Sequence, residues 1–336
     1  MVAIPTARDL LDQGLVTCPD TLAEVHEGLS GSGGRNSMRY IEVRMYGGLH
    51  FRLLPDRGLD VSSAWYGCIP LAWHSRVGET PPLPVPRDDD WLKAFGGGLV
   101  VTCGMQNVGA SSEGHGVHGG FSHQVVRELR WQRELRGSDL EIEISGVISE
   151  IDALGVQLRC QRRITTRTGT AEILIRDTVT NLGAQSTPAP WLYHVNLGAP
   201  LWSGDALLQI PSQVRLPRDD VSASASSNCS APMLDAPYCS EMVLEHVLDE
   251  ETPGRARIEN PGLGVELTVE WDRSTLPRLH QWIHRAKSIG ALAIEPANCS
   301  VLGRGADRSA GRMPVLAPGE ERSTSLSVTV APIDAG

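Results

Sequence analysis

Residues 140–149, LEIEISGVIS, alternate apolar and polar side chains with a period of two. That is the repeat of a strand with one buried face, and no helix can present it as a single apolar stripe. The pattern returns in VQLRCQRRITT (156–166) and AEILIRDTVTN (171–181), each set off by a glycine-containing turn. RARIENPGLGVELTVEW (255–271) predicts two strands around a Pro-Gly turn, and STSLSVTV (323–330) a last strand entered through APGEE. Strands recur at roughly 10–15-residue spacing, and helical periodicity is nearly absent after residue 30. The expected fold is therefore all-β, a large antiparallel sandwich or barrel rather than a series of βαβ units.

Residues 4–30 depart from this pattern. TARDLLDQGLV and DTLAEVHEGL read as short helices or peripheral segments. The proline-rich run ETPPLPVPRDDD (79–90) cannot enter a central strand and reads as a long surface excursion. DDVSASASSNCSAP (219–232) reads as a polar loop at a rim or lid. No linker separates two cores and no repeat is present. A single domain over residues 1–336 follows, with residues 1–30 packed on it as a peripheral N-terminal segment.

Several function classes are disfavoured. With a hydrophobic content of 41% a packed core is expected, while a net charge of −10 without any Lys/Arg-rich run gives nucleic-acid phosphates nothing to bind. The N-terminus has neither a basic start nor a long apolar run, and no stretch approaches the ~18 apolar residues of a membrane span. Seven scattered cysteines, never spaced C-x-x-C, fit reduced thiols in a cytoplasm better than a disulfide frame or a zinc ribbon.

Three clusters carry titratable side chains. In SSEGHGVHGGFSH (111–123) three histidines sit among glycines, which permit positive φ and close approach of a ligand to the backbone. His115 and His123 are expected to be solvated imidazoles. His118, followed by two glycines, is expected to reach a ligand, where an imidazole can bond a hydroxyl or move a proton. In PWLYHVNLGAP (190–200), His194 lies in an apolar strand with Tyr193 on the opposite face and Asn196 on its own. It reads either as a core histidine satisfied by Asn196 or as a ligand-facing one. In IGALAIEPANCS (289–300), Glu295 ends an apolar strand, where desolvation would raise its pKa into the range of a useful base. The alternative is a glutamate that caps or salt-bridges a sheet edge. A weaker feature is LLPDRGLDV (53–61), in which Arg57 either forks onto ligand oxygens or pairs with Asp56 or Asp60. His280 and His284, four apart in HQWIH, fall on one strand face but well separated. They read as structural or rim residues, with His284 placed to line a pocket.

Together LLPDRGLDV, IPLAWHS, GGLVVTCGMQNVG, HGVHGGFSH, LYHVNLGAP, LAIEPANC and LAPGEERS resemble the galactose-mutarotase-like superfamily, and within it the DUF4432 branch of the aldose 1-epimerase family. The resemblance runs from about residue 50 to the C-terminus. It implies a β-supersandwich with a few short peripheral helices and a ligand cleft across its concave sheet. His118 looks like the family's H-G-G-loop histidine, His194 like its strand histidine, and Glu295 like its late glutamate. The strand motif here is Y-H-V-N-L-G and lacks the N-H-T-Y-F core.

Three functions follow as expectations. In the first, an aldose 1-epimerase (mutarotase) opens and recloses a sugar ring without a cofactor. Glu295 is the base, His194 the acid, and His118 and Arg57 hold hydroxyls. Asn107, Asn196, His284 and Trp191 are the expected further substrate contacts, and Trp73, Trp191 or Trp282 could stack on the sugar. In the second, a lyase or isomerase acts on a keto-sugar, with His118, His194 and Glu295 as ligands of a divalent metal such as Mn, Fe or Zn. In the third, the chain binds carbohydrate without catalysis. The expected partner is a small sugar, not nucleic acid or membrane, and a homodimer is one option for the assembly.

Overall fold

A computed structural model describes residues 5–31, 37–225 and 241–333. Two antiparallel sheets dominate it, one of eleven strands and one of eight, with a small two-stranded ribbon beside them. The alternating segments lie in the eight-stranded sheet, as strands Asp139–Ile151, Gln157–Arg167, Glu172–Asn181, Arg255–Asn260, Val265–Trp271 and Glu321–Pro332. In Gln157–Arg167 burial follows parity. Leu158, Cys160, Arg162, Ile164 and Thr166 face inward, and Gln161, Arg163 and Arg167 face water. That is the signature of a sheet with one dry face. The α-helices among the described residues are four and short: Ala7–Asp12, Asp90–Lys93, Asp220–Ala225 and Arg304–Ser309.

The centre of the eleven-stranded sheet is built differently. Strands Val100–Gly104, Trp191–Leu197, Ala291–Ala297 and Arg278–His284 lie side by side in that order, and the middle two are buried at every residue. One face packs on the second sheet through Val100, Trp191, Tyr193, Val195, Leu197, Leu292 and Ile294. The other face carries a second apolar cluster, including Trp73, Trp91, Phe95, Val101, Cys103, Leu192, Val243 and Val301. Loops drawn across the sheet supply this cover, so the sheet has dry surfaces on both sides. A polar side chain on the second face is costly unless something satisfies it.

The N-terminal region differs from expectation in one respect. Ala7–Asp12 is a helix capped by Thr6, but Ala23–Ser30 is a strand paired in register with Met38–Met45. The segment is the edge of the large sheet, not an appendage. Pairing decides it: Gly28 leaves space for the Tyr40 ring of the neighbouring strand, where a Cβ would lie 2.5 Å from that ring. Within the run 219–232, Asp220–Ala225 is a short helix. The residues of the run from 226 on, with Cys229, lie outside the described residues, as does Cys239. No helix among the described residues is long and apolar enough to cross a membrane.

Candidate active site

The strand register brings His194 and Glu295 together. Leu192 pairs with Ala297 and Val195 with Ile294, which sets His194 directly opposite Glu295 on the sheet's second face. Side chains directly opposed on an antiparallel pair are nearest neighbours. His194 Nε2 lies 3.2 Å from Glu295 Oε1, and both side chains are buried.

Burial governs their protonation. It pushes the Glu295 carboxyl up to about 8, with the nearby Glu241 charge adding to the rise. It pushes the His194 imidazole down to about 3, helped by repulsion from His118. Desolvation opposes charge on both groups. At neutral pH the contact is therefore a carboxylic acid donating to a neutral imidazole rather than an ion pair. One proton sits in a short contact between two groups that can both hold it.

Asn196 shares the face of His194. Its Nδ2 donates to the carbonyls of Gly98 and His194, at 2.9 Å each. That leaves its Oδ1 buried without a partner, and the Nδ1 of His194 is likewise unpartnered. The Asn196 amide oxygen, as an acceptor near the ring, nonetheless works to raise the His194 pKa. Asn196 is thus a positioning residue. Its amide oxygen favours a proton on His194 Nδ1 and leaves Nε2 to Glu295.

His118 arrives on the glycine-rich loop. It has φ +57°, and Gly119 follows at φ +73°, where a Cβ would stand 2.5 Å from the carbonyl oxygens of Asn107 and Gly104. Only glycine fits there. The His118 backbone N–H donates to Gly109 O, and its Nδ1 accepts the Gly109 N–H at 3.3 Å. With Nδ1 accepting, the ring proton belongs on Nε2. Burial lowers the His118 pKa to about 4, so the ring is neutral and presents an N–H donor. Its ring centre is 5.6 Å from that of His194.

These three side chains meet in a cleft of about 450 Å³. Trp91, Phe95 and Trp282 form its aromatic wall, with ring centres of Phe95 and Trp282 5.4 Å and 5.7 Å from His194. Its polar rim is Arg218, Asp219 and Glu241. Arg218 donates to Asp219 and Glu241, and Glu241 accepts the indole N–H of Trp282 at 3.0 Å. The rim thereby fixes the Trp282 ring over the acid–base pair.

Other expected contacts lie elsewhere. Arg57 is buried, but its guanidinium donates to the carbonyls of Ser122, Thr80 and Ala94 and does not line the cleft. It pairs with neither neighbour: Asp56 bonds Arg39 and Asp60 bonds Arg162. Asn107 is consumed within the His118 loop, donating to Ala110 O and Gly116 O and accepting the Arg304 N–H. Trp191 faces the inter-sheet core against Phe121 and Tyr193. His284 shares the Trp282 face but sits beyond that ring, outside the cleft lining. His280 does not line the cleft; its Nε2 meets Cys299 O at 3.1 Å. His115 is held at the surface by Arg304, and His123 is buried rather than solvated, its Nδ1 accepting the Leu83 N–H. Trp91, Phe95, Arg218, Asp219 and Glu241 were not foreseen. Trp91 and Phe95 follow a proline-rich excursion that folds back over the sheet, a long-range event without a local signal.

The donor set does not fit a metal as it stands. Among the described residues no group of three His, Cys, Asp or Glu side chains is arranged to hold one. His118 offers a proton rather than a lone pair, and the free lone pair of His194 is turned to Glu295.

This two-sheet sandwich with its cleft on one face of the larger sheet is a galactose-mutarotase-like fold. The family profile of a domain of unknown function, DUF4432, matches residues 35–330, and the chain belongs to that family. The fold is similar to that of a Klebsiella pneumoniae protein provisionally named an aldose 1-epimerase, at 20% identity and TM-score 0.82 over 95% of this chain and 85% of that one. It is also similar to a galactose mutarotase-like protein of Clostridium acetobutylicum (13%, TM-score 0.63, 93% and 99%). A galactose 1-epimerase of Lactobacillus acidophilus resembles it as well (13%, TM-score 0.58, 92% and 99%). At such identities the likeness is one of fold. No curated protein matches the sequence.

Proposed function

We propose that the chain interconverts the anomers of an aldose by general acid–base catalysis in the cleft of His118, His194 and Glu295. The observation that carries this reading is the 3.2 Å contact of His194 with Glu295 on the cleft floor. Ring opening takes a proton from the anomeric hydroxyl and gives one to the ring oxygen, and both oxygens are bonded to the same carbon. The two proton-transfer groups must therefore be close neighbours, buried, and short of one proton between them.

In the resting site the proton lies on Glu295, which makes Glu295 the first acid and His194 the first base. This inverts the assignment made from sequence. Reclosure on the other face of the aldehyde runs the transfers backwards, so each group serves once as acid and once as base. The His118 N–H is placed to donate to the oxygen on which negative charge develops. The aromatic wall offers a flat apolar surface to the C–H face of a pyranose, and no cofactor is required.

The test is polarimetry or saturation-transfer NMR on a panel of aldoses. Glu295→Gln is expected to lower kcat/KM by about 10²–10⁴-fold, the usual worth of a positioned proton-transfer group. The wild-type rate should fall as pH rises through about 8, where Glu295 loses the shared proton. A Glu295→Gln protein with the wild-type rate would end this reading.

A further inference from the structure

The loop that delivers His118 is fastened from the far end of the chain. Residues 106–115 lie against the short helix Arg304–Ser309 and the turn before it. Gly109 bridges to Leu302, and the Ala110 N–H donates to Val301 O. The approach is close: a Cβ on Gly109 would stand 2.0 Å from that same carbonyl oxygen, and one on Gly303 would stand 2.6 Å from Ala110 O.

Arg304 is the centre of this contact. It is 9% exposed, and its bonds reach four loop residues. Its backbone N–H donates to Asn107 Oδ1 at 3.0 Å. Its Nη1 donates to Gln106 O at 2.8 Å and to His115 Nε2 at 2.9 Å, and its Nε donates to Glu113 Oε2 at 2.8 Å. A guanidinium can only donate, so His115 accepts through a neutral ring that carries its proton on Nδ1. Glu113 has φ +50°, in the left-handed region that a residue with a side chain seldom adopts. A second arginine, Arg308, grips it there with two bonds of 2.9 Å. Those bonds, with the charge of Arg304, push the Glu113 carboxyl down to about 2, so it stays ionised across the working pH range. An exposed ion pair alone contributes little. Here a largely buried guanidinium ties side chain and main chain of one segment at once.

What this segment places is the imidazole. The His118 N–H donates to Gly109 O, and the Gly109 N–H donates to His118 Nδ1. Gly109 lies between Asn107 and Glu113, both held by Arg304. Its position therefore sets where the ring stands and which ring nitrogen keeps the proton. Arg304, Glu113 and Arg308 do not line the cleft.

We infer that Arg304, acting with Glu113, is a positioning residue for His118: by clamping segment 106–115 it keeps the Gly109 N–H on His118 Nδ1 and so holds the ring with its Nε2–H toward the ligand. The placement of the ring proton is independent of any reaction. Its effect on turnover rests on the acid–base reading above.

The test uses three variants. Arg304→Met removes the side-chain donors and keeps an apolar stem. Glu113→Gln, at a partly exposed position, keeps the shape and removes the charge, and it decides the matter if the first variant does not fold. Arg312→Met, whose bond is to Asp307 on the same helix rather than to the loop, controls for general loosening. Imidazole ¹⁵N NMR reads the tautomer of His118, and amide hydrogen exchange at Gly109 reads the bond to it. In Arg304→Met the His118 Nδ1 resonance should leave its acceptor position and Gly109 exchange should speed up markedly. Glu113→Gln should show the same changes at smaller size, and Arg312→Met neither. With an aldose that the wild type turns over, Arg304→Met should lower kcat roughly 10–100-fold with KM little changed. Arg304→Lys, which keeps the charge and one donor arm, should recover part of that loss. The inference is overturned if His118 and Gly109 behave as in wild type in every folded variant, if Arg312→Met moves them as far, or if kcat holds while the ring has moved. If the ring moves as expected but the wild type turns over no aldose, the reading of the cleft falls and the positioning role stands.

Discussion

Tyr193 and His194 are neighbours on one strand, and each joins a buried cluster of ionisable groups on opposite faces of the sheet. On the core side, Tyr193 donates to Asp177 at 2.6 Å. Asp177 takes a two-pronged bond from Arg162 at 2.9 and 2.7 Å. Arg162, with no exposed side chain, also donates to Asp60, Gly58 O and Thr102. Asp60 in turn accepts the N–H and hydroxyl of Thr102. Every donor of the guanidinium group's three nitrogens is directed at an acceptor. On the cleft side, His194 and Glu295 share one contact, Nδ1 and the Asn196 oxygen make no well-formed bond, and 450 Å³ of space lies above them.

The difference separates two uses of buried charge. Complete pairing compensates the buried Arg162 guanidinium, and it ties both sheets at one point. Incomplete pairing at the cleft drives both groups to their neutral forms and leaves them ready to exchange a proton with a ligand. The first cluster should answer to mutation in stability, the second in activity.

The sharpest way to break this contrast is Asp177→Ala, which strips Arg162 of its two-pronged partner and Tyr193 of its acceptor inside the core. The expected cost is about 3–5 kcal/mol in urea unfolding, close to the whole stability of many domains. A loss below roughly 1 kcal/mol would mean that the network is not the tie described here.

Glu295→Gln should behave in the opposite sense. The folded protein raises this carboxyl from an ordinary 4.5 to about 8, so wild-type stability from this group is full below pH 4.5 and is lost as pH rises through about 8. The glutamine variant has no such dependence. It should gain on wild type by a few kcal/mol between these pH values, read as the difference in urea midpoints at pH 5 and pH 9. An equal difference at both would show that Glu295 ionises freely in the folded state.

The smallest expected effect belongs to Asn196→Ala. Loosening the His194 ring should lower kcat roughly tenfold with KM little changed, because geometry rather than binding is lost. A change confined to KM would instead put Asn196 in contact with substrate.

Much of the site was legible because chemistry and local pattern coincide there. An imidazole and a carboxylate in otherwise apolar strands stand out, and the glycines beside His118 announce a constrained turn. Parity could have been used further. Tyr193 was placed opposite His194, and Trp191 shares the parity of Tyr193, so its burial in the inter-sheet core follows from the same rule. Arg57 and Asn107 were misassigned for another reason. Arg57 bonds to backbone carbonyls of loops distant in the chain, and Asn107 is used up by carbonyls of its own loop and by the Arg304 N–H, which no local pattern reveals. The strand Ala23–Ser30 was also hidden, since its pairing with Met38–Met45 outweighs a helix-compatible sequence.

By itself the sequence determined the all-β class, the inward and outward faces of the alternating strands, and three side chains whose chemistry is out of keeping with their surroundings. Side-chain direction has a period of two and is a local property, so it can be read residue by residue. Only the tertiary structure decided that His194 stands against Glu295, that Trp91, Phe95 and Glu241 close over them, and that Arg304 fastens the loop of His118. Register between distant strands and the path of covering loops depend on how whole surfaces pack, and that free energy is spread over many contacts rather than written in any one segment.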